Sequence, residues 1–230
     1  MMLAAVATAG AAGPSTEPSV PPMRIALVGD STMIDRGGWG GAFADLLFDE
    51  DEVQCINLSR GGRSSSSFIT EGRWAKCLEL KPAYIFIQFG CNDEPGHGAD
   101  REANANTTYR RNMTRYVDEA RAAGATPILV TSLARRQFGP DGKIHSTLEA
   151  YAATVRAIAQ ERHVPLIDLH ARSIELYEKL GPDGCRALSP KKADGSYDGT
   201  HLNATGAAAV ASLVVDELNR ALPELGAYFE

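Results

Sequence analysis

The sequence predicts a doubly wound α/β fold in which a five-stranded parallel sheet forms the middle of three layers, with helices on both faces. Two observations lead to this fold class. Short, nearly continuous apolar runs are typical of strands that are buried on both faces of a parallel sheet. Stretches with helical amphipathic spacing alternate with these runs. The strands are expected at residues 25–28, 53–58, 83–89, 127–131 and 165–169.

Helices are expected where apolar residues recur every three or four positions, because such residues share one face of a helix. Gly124 and Pro127 mark the end of one such helix before the fourth strand, since neither residue continues a helix well. The predicted apolar faces are Tyr109, Met113, Tyr116, Val117 and Ala120; Leu148, Tyr151, Val155, Ile158 and Ala159; and Val210, Leu213, Val214 and Leu218.

Length and charge exclude several classes of protein. The chain has 230 residues, enough for one domain with a substantial core, and a net charge of −6. This acidic balance disfavours a general nucleic-acid-binding protein, which would present a basic face to phosphates. No apolar run reaches the roughly 18 residues that a membrane-spanning helix needs. We therefore expect neither nucleic acid nor membrane as a partner.

Residues 1–22 differ in composition from the remainder of the chain. Ala and Gly dominate residues 1–13, and Pro and Ser are frequent in residues 14–22. The first part resembles the apolar region of a secretory signal but lacks the positive charge that usually precedes it. It is either a leader for export, which we favour, or an upstream extension of a cytoplasmic chain that starts at Met23. In both cases residues 1–22 are expected to be a disordered leader or linker, and residues 23–230 a single domain.

No metal or redox motif is present among the cysteines and histidines. The cysteines have no CxxC spacing, and the histidines no HxxH or HxxxH spacing, so a metal site is not expected. Buried, hydrophobe-like thiols are the favoured interpretation, and a disulfide stays open. The four cysteines are Cys55, Cys77, Cys91 and Cys185.

Residues that can carry chemistry lie just past the ends of predicted strands. Ser31, Gly62 and Asn92 follow the first, second and third strands, and ligands of doubly wound sheets bind at these carboxyl ends. Asp198 and His201 stand three positions apart near the other end of the chain. A serine with a histidine base and an aspartate that fixes its tautomer provides the parts for nucleophilic acyl transfer. Taken singly, each residue has a structural alternative as a helix cap or turn residue.

Four short motifs occur in order: GDS at 29–31, GRS at 62–64, GxND at 90–93 and DxxH at 198–201. In this order they resemble the GDSL or SGNH hydrolase superfamily, and the resemblance extends over residues 24–222. Three longer blocks are similar to the rhamnogalacturonan acetylesterase family within it. One GDS triplet would be weak evidence, whereas four ordered blocks disfavour chance. The longer blocks are GDSTM at 29–33, EGRW at 71–74 and FGCND at 89–93.

The resemblance implies a serine esterase that removes O-acetyl groups from carbohydrate. It implies Ser31 as nucleophile, His201 as base and Asp198 as its partner. The oxyanion hole would consist of the N–H groups of Ser31 and Gly62 and the side-chain amide of Asn92. The favoured partner is acetylated pectin (rhamnogalacturonan) or its fragments, and no cofactor is needed. The strand order 2-1-3-4-5, as in flavodoxin-like folds, also rests partly on this resemblance, while the oligomeric state stays open.

Three arginines are candidates for binding an acidic sugar: Arg63, Arg135 and Arg136. A guanidinium at the rim of the site could pair with a uronate carboxylate, and the alternative is that these are solvated loop charges. Two long loops, at 133–146 and 181–198, are expected at the edge of the site, because loops of this length in compact domains are often functional.

Other functions remain as alternatives. One is a lipase- or thioesterase-type member of the same superfamily that acts on small acyl esters, although no long apolar lid segment is present. Another is a non-catalytic carbohydrate-binding protein on the same scaffold, which the presence of all five expected site residues disfavours. A nucleotide-binding or receiver-like fold would have clustered acidic residues after the first strand, where Asp30 stands alone.

Overall fold

The computed structural model describes residues 21–48 and 52–229. The strands within these residues pair in parallel in the order β2-β1-β3-β4-β5. Both the doubly wound parallel sheet and its predicted order are therefore confirmed. The strands are β1 (Met23–Gly29), β2 (Val53–Asn57), β3 (Tyr84–Gln88), β4 (Thr126–Val130) and β5 (Leu166–Ile167).

Helices connect the strands and cover both faces of the sheet. A π-helical turn (Ala105–Tyr109) leads into the fourth helix, and a 3-10 turn (Arg186–Leu188) follows the sixth. The helices are α1 (Gly40–Ala44), α2 (Ser65–Thr70), α3 (Arg73–Glu79), α4 (Arg110–Ala122), α5 (Glu149–Arg162), α6 (Leu169–Cys185), α7 (Ala204–Ala221) and α8 (Pro223–Gly226).

The core consists of two apolar clusters, one on each face of the sheet. Alternate side chains of β1 enter opposite clusters, as the period of two in a strand requires. Ile25 and Leu27 pack with residues of α1, α6 and α7, and Ala26 and Val28 pack with residues of α3, α4 and α5. The predicted apolar faces of α4, α5 and α7 all point into these clusters. This arrangement gives the three layers that the sequence predicts.

The fifth strand is shorter than predicted. Only Leu166 and Ile167 pair with β4, and residues 168 and 169 leave the strand. Asp168 ends it because its carboxylate accepts a hydrogen bond from the N–H of Ala171 and so caps α6. Helix α6 in turn breaks at Gly181, where φ is 68°. After the break, helix continues to Cys185 and a 3-10 turn follows, so the first part of the loop predicted for 181–198 is helical.

Three further features of the sequence are the expected leader, the question of membrane spans and the cysteines. The leader expected for residues 1–22 lies, apart from its last two residues, outside the described residues. Among the helices that are described, none has both the length and the apolar character of a membrane span. The four cysteines are free thiols, and burial raises the pKa of Cys77 to about 12.

Candidate active site

Three residues predicted for acyl transfer meet at the carboxyl edge of the sheet. The hydroxyl oxygen of Ser31 lies 3.0 Å from Nε2 of His201, and Nδ1 of His201 lies 2.9 Å from Oδ2 of Asp198. The second carboxylate oxygen of Asp198 accepts hydrogen bonds from the N–H groups of Thr200 (2.7 Å) and His201 (3.0 Å). The DGTH segment thus folds into a tight turn that aims the imidazole at Ser31.

The charge on Asp198 is favoured by this turn. Partial burial raises the pKa of Asp198, but the hydrogen bonds from the imidazole of His201 and from the two N–H groups outweigh it and lower the pKa to about 2. An ionised Asp198 holds the proton of the ring on Nδ1 and leaves Nε2 to accept a proton from Ser31.

Within residues 21–48 and 52–229, no group of three or more His, Cys, Asp or Glu side chains has metal-binding geometry.

Arg136 holds the DGTH turn in place. Its guanidinium donates to the carbonyl oxygen of Asp198 (3.0 Å) and to that of His201, and its backbone N–H donates to the carbonyl of Gly199 (2.8 Å). The guanidinium also lies 5.3 Å from the ring centre of Tyr177 and donates to the Tyr177 hydroxyl. One side chain therefore satisfies several carbonyl groups of an irregular segment.

A buried polar network fixes the turn that carries Ser31. The carboxylate of Asp30 accepts hydrogen bonds from the N–H and hydroxyl of Thr32, both at 2.8 Å. The amide of Gln88 donates to the Thr32 hydroxyl (2.5 Å) and accepts from the indole N–H of Trp39 (3.0 Å). Burial raises the pKa of Asp30, against the hydrogen bonds from Thr32. Asp30 thus orients the loop that carries Ser31 through its hydrogen bonds with Thr32.

Two of the predicted oxyanion donors, Gly62 and Asn92, lie on the loops after β2 and β3. A Cβ at Gly61 would lie 3.6 Å from the Cβ of Ser31, so the loop that contains Gly62 passes directly beside Ser31. Gly62 has φ of 75°, in the left-handed region that favours glycine. The amide nitrogen of Asn92 donates to the carbonyl of Arg63 (3.1 Å), which leaves its second N–H available. Among hydrogen bonds between described residues, none has the N–H of Ser31 or Gly62 as its donor.

Asp93 ties these two loops together. Its carboxylate accepts from the N–H and hydroxyl of Ser65, at the start of α2, and from the N–H of Gly90 after β3. Burial raises the pKa of Asp93 to about 7, although the Ser65 hydrogen bonds oppose the shift. Gly90 cannot carry a side chain, because its φ is 137° and a Cβ would lie 2.1 Å from the Ser132 hydroxyl. The spacing between the two loops is therefore set by buried contacts.

The candidate sugar-binding arginines are not free cations at the rim. The structure corrects the prediction that Arg136 binds sugar at the rim. This residue is only 8% exposed, and its guanidinium donates hydrogen bonds to carbonyl and hydroxyl groups of the protein. Arg135 forms an ion pair with Glu94 at 2.6 Å, and Arg63 pairs with Glu71 at 3.1 Å. The ion-pair partner of Arg135 and the partners of Arg136 are more than 40 residues away in the sequence, so the residues next to these arginines give no sign of them.

The structure also places residues near the site that the sequence analysis missed. Arg36 and Arg60 line an open groove of about 580 Å³ beside Gly61. The Nη1 atom of Arg101 lies 4.0 Å from the position of a Cβ at Gly62. A structural role for Gln88 could have been predicted, since it is the one polar side chain in the otherwise apolar and aromatic run 84–89.

Comparison with known proteins identifies relatives over most of the chain. The GDSL-like Lipase/Acylhydrolase family matches residues 27–209. The chain is 36% identical to the rhamnogalacturonan acetylesterase RhgT of Bacillus subtilis (strain 168) over 212 residues, which cover 85% of this chain and 89% of the relative. It is 29% identical to a rhamnogalacturonan acetylesterase of Emericella nidulans, and the alignment covers 84% of each protein.

A solved structure has the same fold. The crystal structure of YxiM from Bacillus subtilis superposes with a TM-score of 0.75 at 28% identity, and the match covers 89% of this chain. The chain spans only 58% of the length of that protein. The family match contains all four ordered motifs found in the sequence. By this match and by its fold, the chain belongs to the GDSL-like lipase/acylhydrolase family.

Proposed function

We propose that this protein is a carbohydrate acetylesterase that removes O-acetyl groups from an acidic polysaccharide of the rhamnogalacturonan type. The hydrogen-bonded series from Ser31 through His201 to Asp198 is the observation that carries the proposal. The substrate class rests on the two relatives named as rhamnogalacturonan acetylesterases, because the alignment with each covers more than four-fifths of both proteins.

In the first half of the reaction, the Ser31 hydroxyl oxygen forms a bond to the acetyl carbonyl carbon. The proton of Ser31 passes to Nε2 of His201, which lies 3.0 Å away in the free protein. Ionised Asp198 stabilises the imidazolium that forms and keeps the ring oriented. The bond between the acetyl carbon and the sugar oxygen then breaks, and His201 returns the proton to that oxygen, so the sugar leaves as an alcohol.

The oxyanion of the tetrahedral intermediate needs donors that are already in position. The N–H groups of Ser31 and Gly62 and the second amide N–H of Asn92 are our candidates. The hydrogen bond from Asn92 to the carbonyl of Arg63 supports this role, because it restricts rotation of the amide. Each donor is expected to contribute about 10²–10³ in turnover.

In the second half, water replaces the sugar. The water oxygen attacks the acetyl carbon while His201 accepts a proton from the water. His201 then donates that proton to the departing Ser31 oxygen. Acetate is released and the free serine is restored. Neither half-reaction uses an oxidant, a metal or an organic cofactor.

Acetate release from matched polysaccharides tests the proposal. Purified protein is incubated with acetylated rhamnogalacturonan, acetylated xylan and chemically deacetylated rhamnogalacturonan, and acetate is quantified. We expect the fastest release from the first, none from the third, and loss of release in a Ser31→Ala variant that keeps the wild-type circular dichroism spectrum. Faster release from xylan would contradict the substrate class.

Chain-length preference tests the alternative of a lipase-type enzyme. With p-nitrophenyl acetate and p-nitrophenyl octanoate as substrates, we expect a higher kcat/KM for the acetate. Faster cleavage of the octanoate would favour the lipase-type function. Binding of the polysaccharide without any acetate release by the wild type would favour a non-catalytic carbohydrate-binding protein.

A further inference from the structure

An open groove lies next to Ser31 and contains two arginines that the proposed reaction does not use. Its walls are the segments 34–36, which follows Ser31 in the same loop, and 59–63, which follows β2. Arg36 belongs to the first segment and Arg60 to the second, and Gly61 brings the second segment close to the Cβ of Ser31. A substrate whose acetyl group reaches Ser31 can therefore extend into this groove.

Both arginines are exposed cations without partners in the described part of the chain. No ion pair or side-chain hydrogen bond joins Arg36 or Arg60 to any described residue, in contrast to Arg63 on the same wall, which pairs with Glu71. Asp35 is the acidic residue that lines the groove, and its carboxylate accepts a hydrogen bond from the amide of Asn57 at 2.7 Å. In a chain of net charge −6, this groove is a local positive region.

The backbone on both walls is anchored to the proposed catalytic residues. The N–H of Arg60 donates to the carbonyl of Gly29 (3.0 Å), two residues before Ser31. On the other wall, the carbonyl of Gly37 accepts from the N–H of Leu202 (2.9 Å), next to His201. These bonds fix the backbone of Arg60 and the backbone next to Arg36 relative to the loops that carry Ser31 and His201.

We propose that Arg36 and Arg60 form a subsite for a uronate carboxylate of the polysaccharide chain that carries the acetyl group. This inference rests on the proposed function, because it assumes a polysaccharide substrate that carries carboxylates. Guanidinium groups bind carboxylates through charge-assisted hydrogen bonds, and both arginines line the same groove, so both are available to a carboxylate bound there. Recognition of the acidic sugar is thus assigned to this pair and not to Arg63, Arg135 or Arg136.

A pair of substrates that differ only in charge tests the subsite. One is an acetylated rhamnogalacturonan oligosaccharide with free carboxylates, and the other is the same oligosaccharide with its uronates methyl-esterified. The ratio of kcat/KM for the charged to the neutral substrate is measured for wild type, Arg36→Gln, Arg60→Gln and the double variant. Arg111→Gln is the matched control, because Arg111 is an exposed arginine of α4 without an ion pair among the described residues.

We expect the double variant to lower the ratio about tenfold, mainly through a higher KM, since a contact remote from the reacting carbon binds ground state and transition state alike. Arg111→Gln should leave the ratio at the wild-type value. High salt should lower the wild-type ratio, because it screens exposed charges.

Two outcomes would overturn the inference. An unchanged ratio in the double variant, with or without an equal loss on both substrates, removes the subsite, while acetate release by the wild type still upholds the proposed function. If the wild type cleaves p-nitrophenyl acetate but releases no acetate from either oligosaccharide, the proposed function itself fails, and the subsite fails with it.

Discussion

The guanidinium of Arg136 donates hydrogen bonds to the backbone carbonyl oxygens of Asp198 and His201, 62 and 65 positions away in the sequence. It also donates to the hydroxyls of Tyr177 and Ser189. A planar group with five N–H donors suits such a set of acceptors, and a lysine ammonium does not. Arg136 therefore acts as a positioning residue for the proposed base.

Replacement of Arg136 by Lys should separate positioning from charge. The variant keeps the positive charge but leaves buried carbonyl groups without donors, so we expect the free energy of unfolding to fall by about 2–4 kcal/mol. We also expect kcat to fall with KM nearly unchanged, because the imidazole would be misaligned. Urea denaturation and steady-state kinetics measure these effects, with Arg111→Lys as control. Wild-type stability and kcat in Arg136→Lys would refute the positioning role.

Replacement of Asp198 by Asn should impair the reaction while the fold is kept. The amide oxygen can still accept from the N–H groups of Thr200 or His201, but the negative charge that stabilises imidazolium is lost and the ring tautomer is no longer fixed. We expect kcat for p-nitrophenyl acetate to fall by about 10²–10⁴-fold. A loss of less than tenfold would show that Asp198 is not the partner of His201 in the reaction.

Gly62 and Gly124 provide a matched pair for the oxyanion loop. Both have positive φ, 75° and 83°, and neither has an atom closer than 4.0 Å to the position of a Cβ. Substitution by Ala should therefore cost each about 1–2 kcal/mol of stability through backbone strain alone. Only Gly62→Ala should also lower kcat, because Gly124 precedes β4 at the opposite edge of the sheet. Equal kcat values in the two variants would contradict the role proposed for Gly62.

Asp93 makes stability depend on pH in a defined direction. Burial raises its pKa to about 7 in the folded protein, whereas an unfolded chain has a value of about 3.9. Between about pH 4 and pH 7, the folded state therefore holds a proton that the unfolded state has lost. The contribution of this group to the free energy of unfolding is greatest below pH 4 and falls as pH rises through this window.

Comparison with Asp93→Asn isolates that titration. The variant lacks the ionisable group, so the difference in unfolding free energy, wild type minus variant, should fall by on the order of 2–4 kcal/mol between pH 4 and pH 7 and then level off. Urea denaturation at several pH values in this range measures the difference. A difference that stays constant or rises with pH would contradict the raised pKa of Asp93.

The fold was largely open to prediction because its signals are local. Apolar runs such as 83–89 report burial on both faces of the sheet, and they identified all five strands. The end of β5 was misplaced because Asp168 looks like a polar residue inside a strand until its capping contact with Ala171 is seen. That contact depends on the start of a helix that the apolar spacing did not reveal.

The site was predictable to the extent that motif order carries information. Ser31, Asp198 and His201 are identified by short motifs, and their distances follow from the topology of the sheet. The functions of the arginines were not predictable in this way. Whether Arg36 is free and Arg136 is buried depends on side chains tens of residues away, and no local pattern records such contacts.

The proposed mechanism requires that Ser31 becomes acetylated during turnover. Rapid mixing with p-nitrophenyl acetate, an acid quench and peptide mass spectrometry test it most directly. We predict a peptide that contains Ser31 and carries one acetyl group, formed in a burst and absent from the Ser31→Ala variant. Steady turnover by the wild type with the acetyl group on another side chain, or by Ser31→Ala at the wild-type rate, would contradict this mechanism.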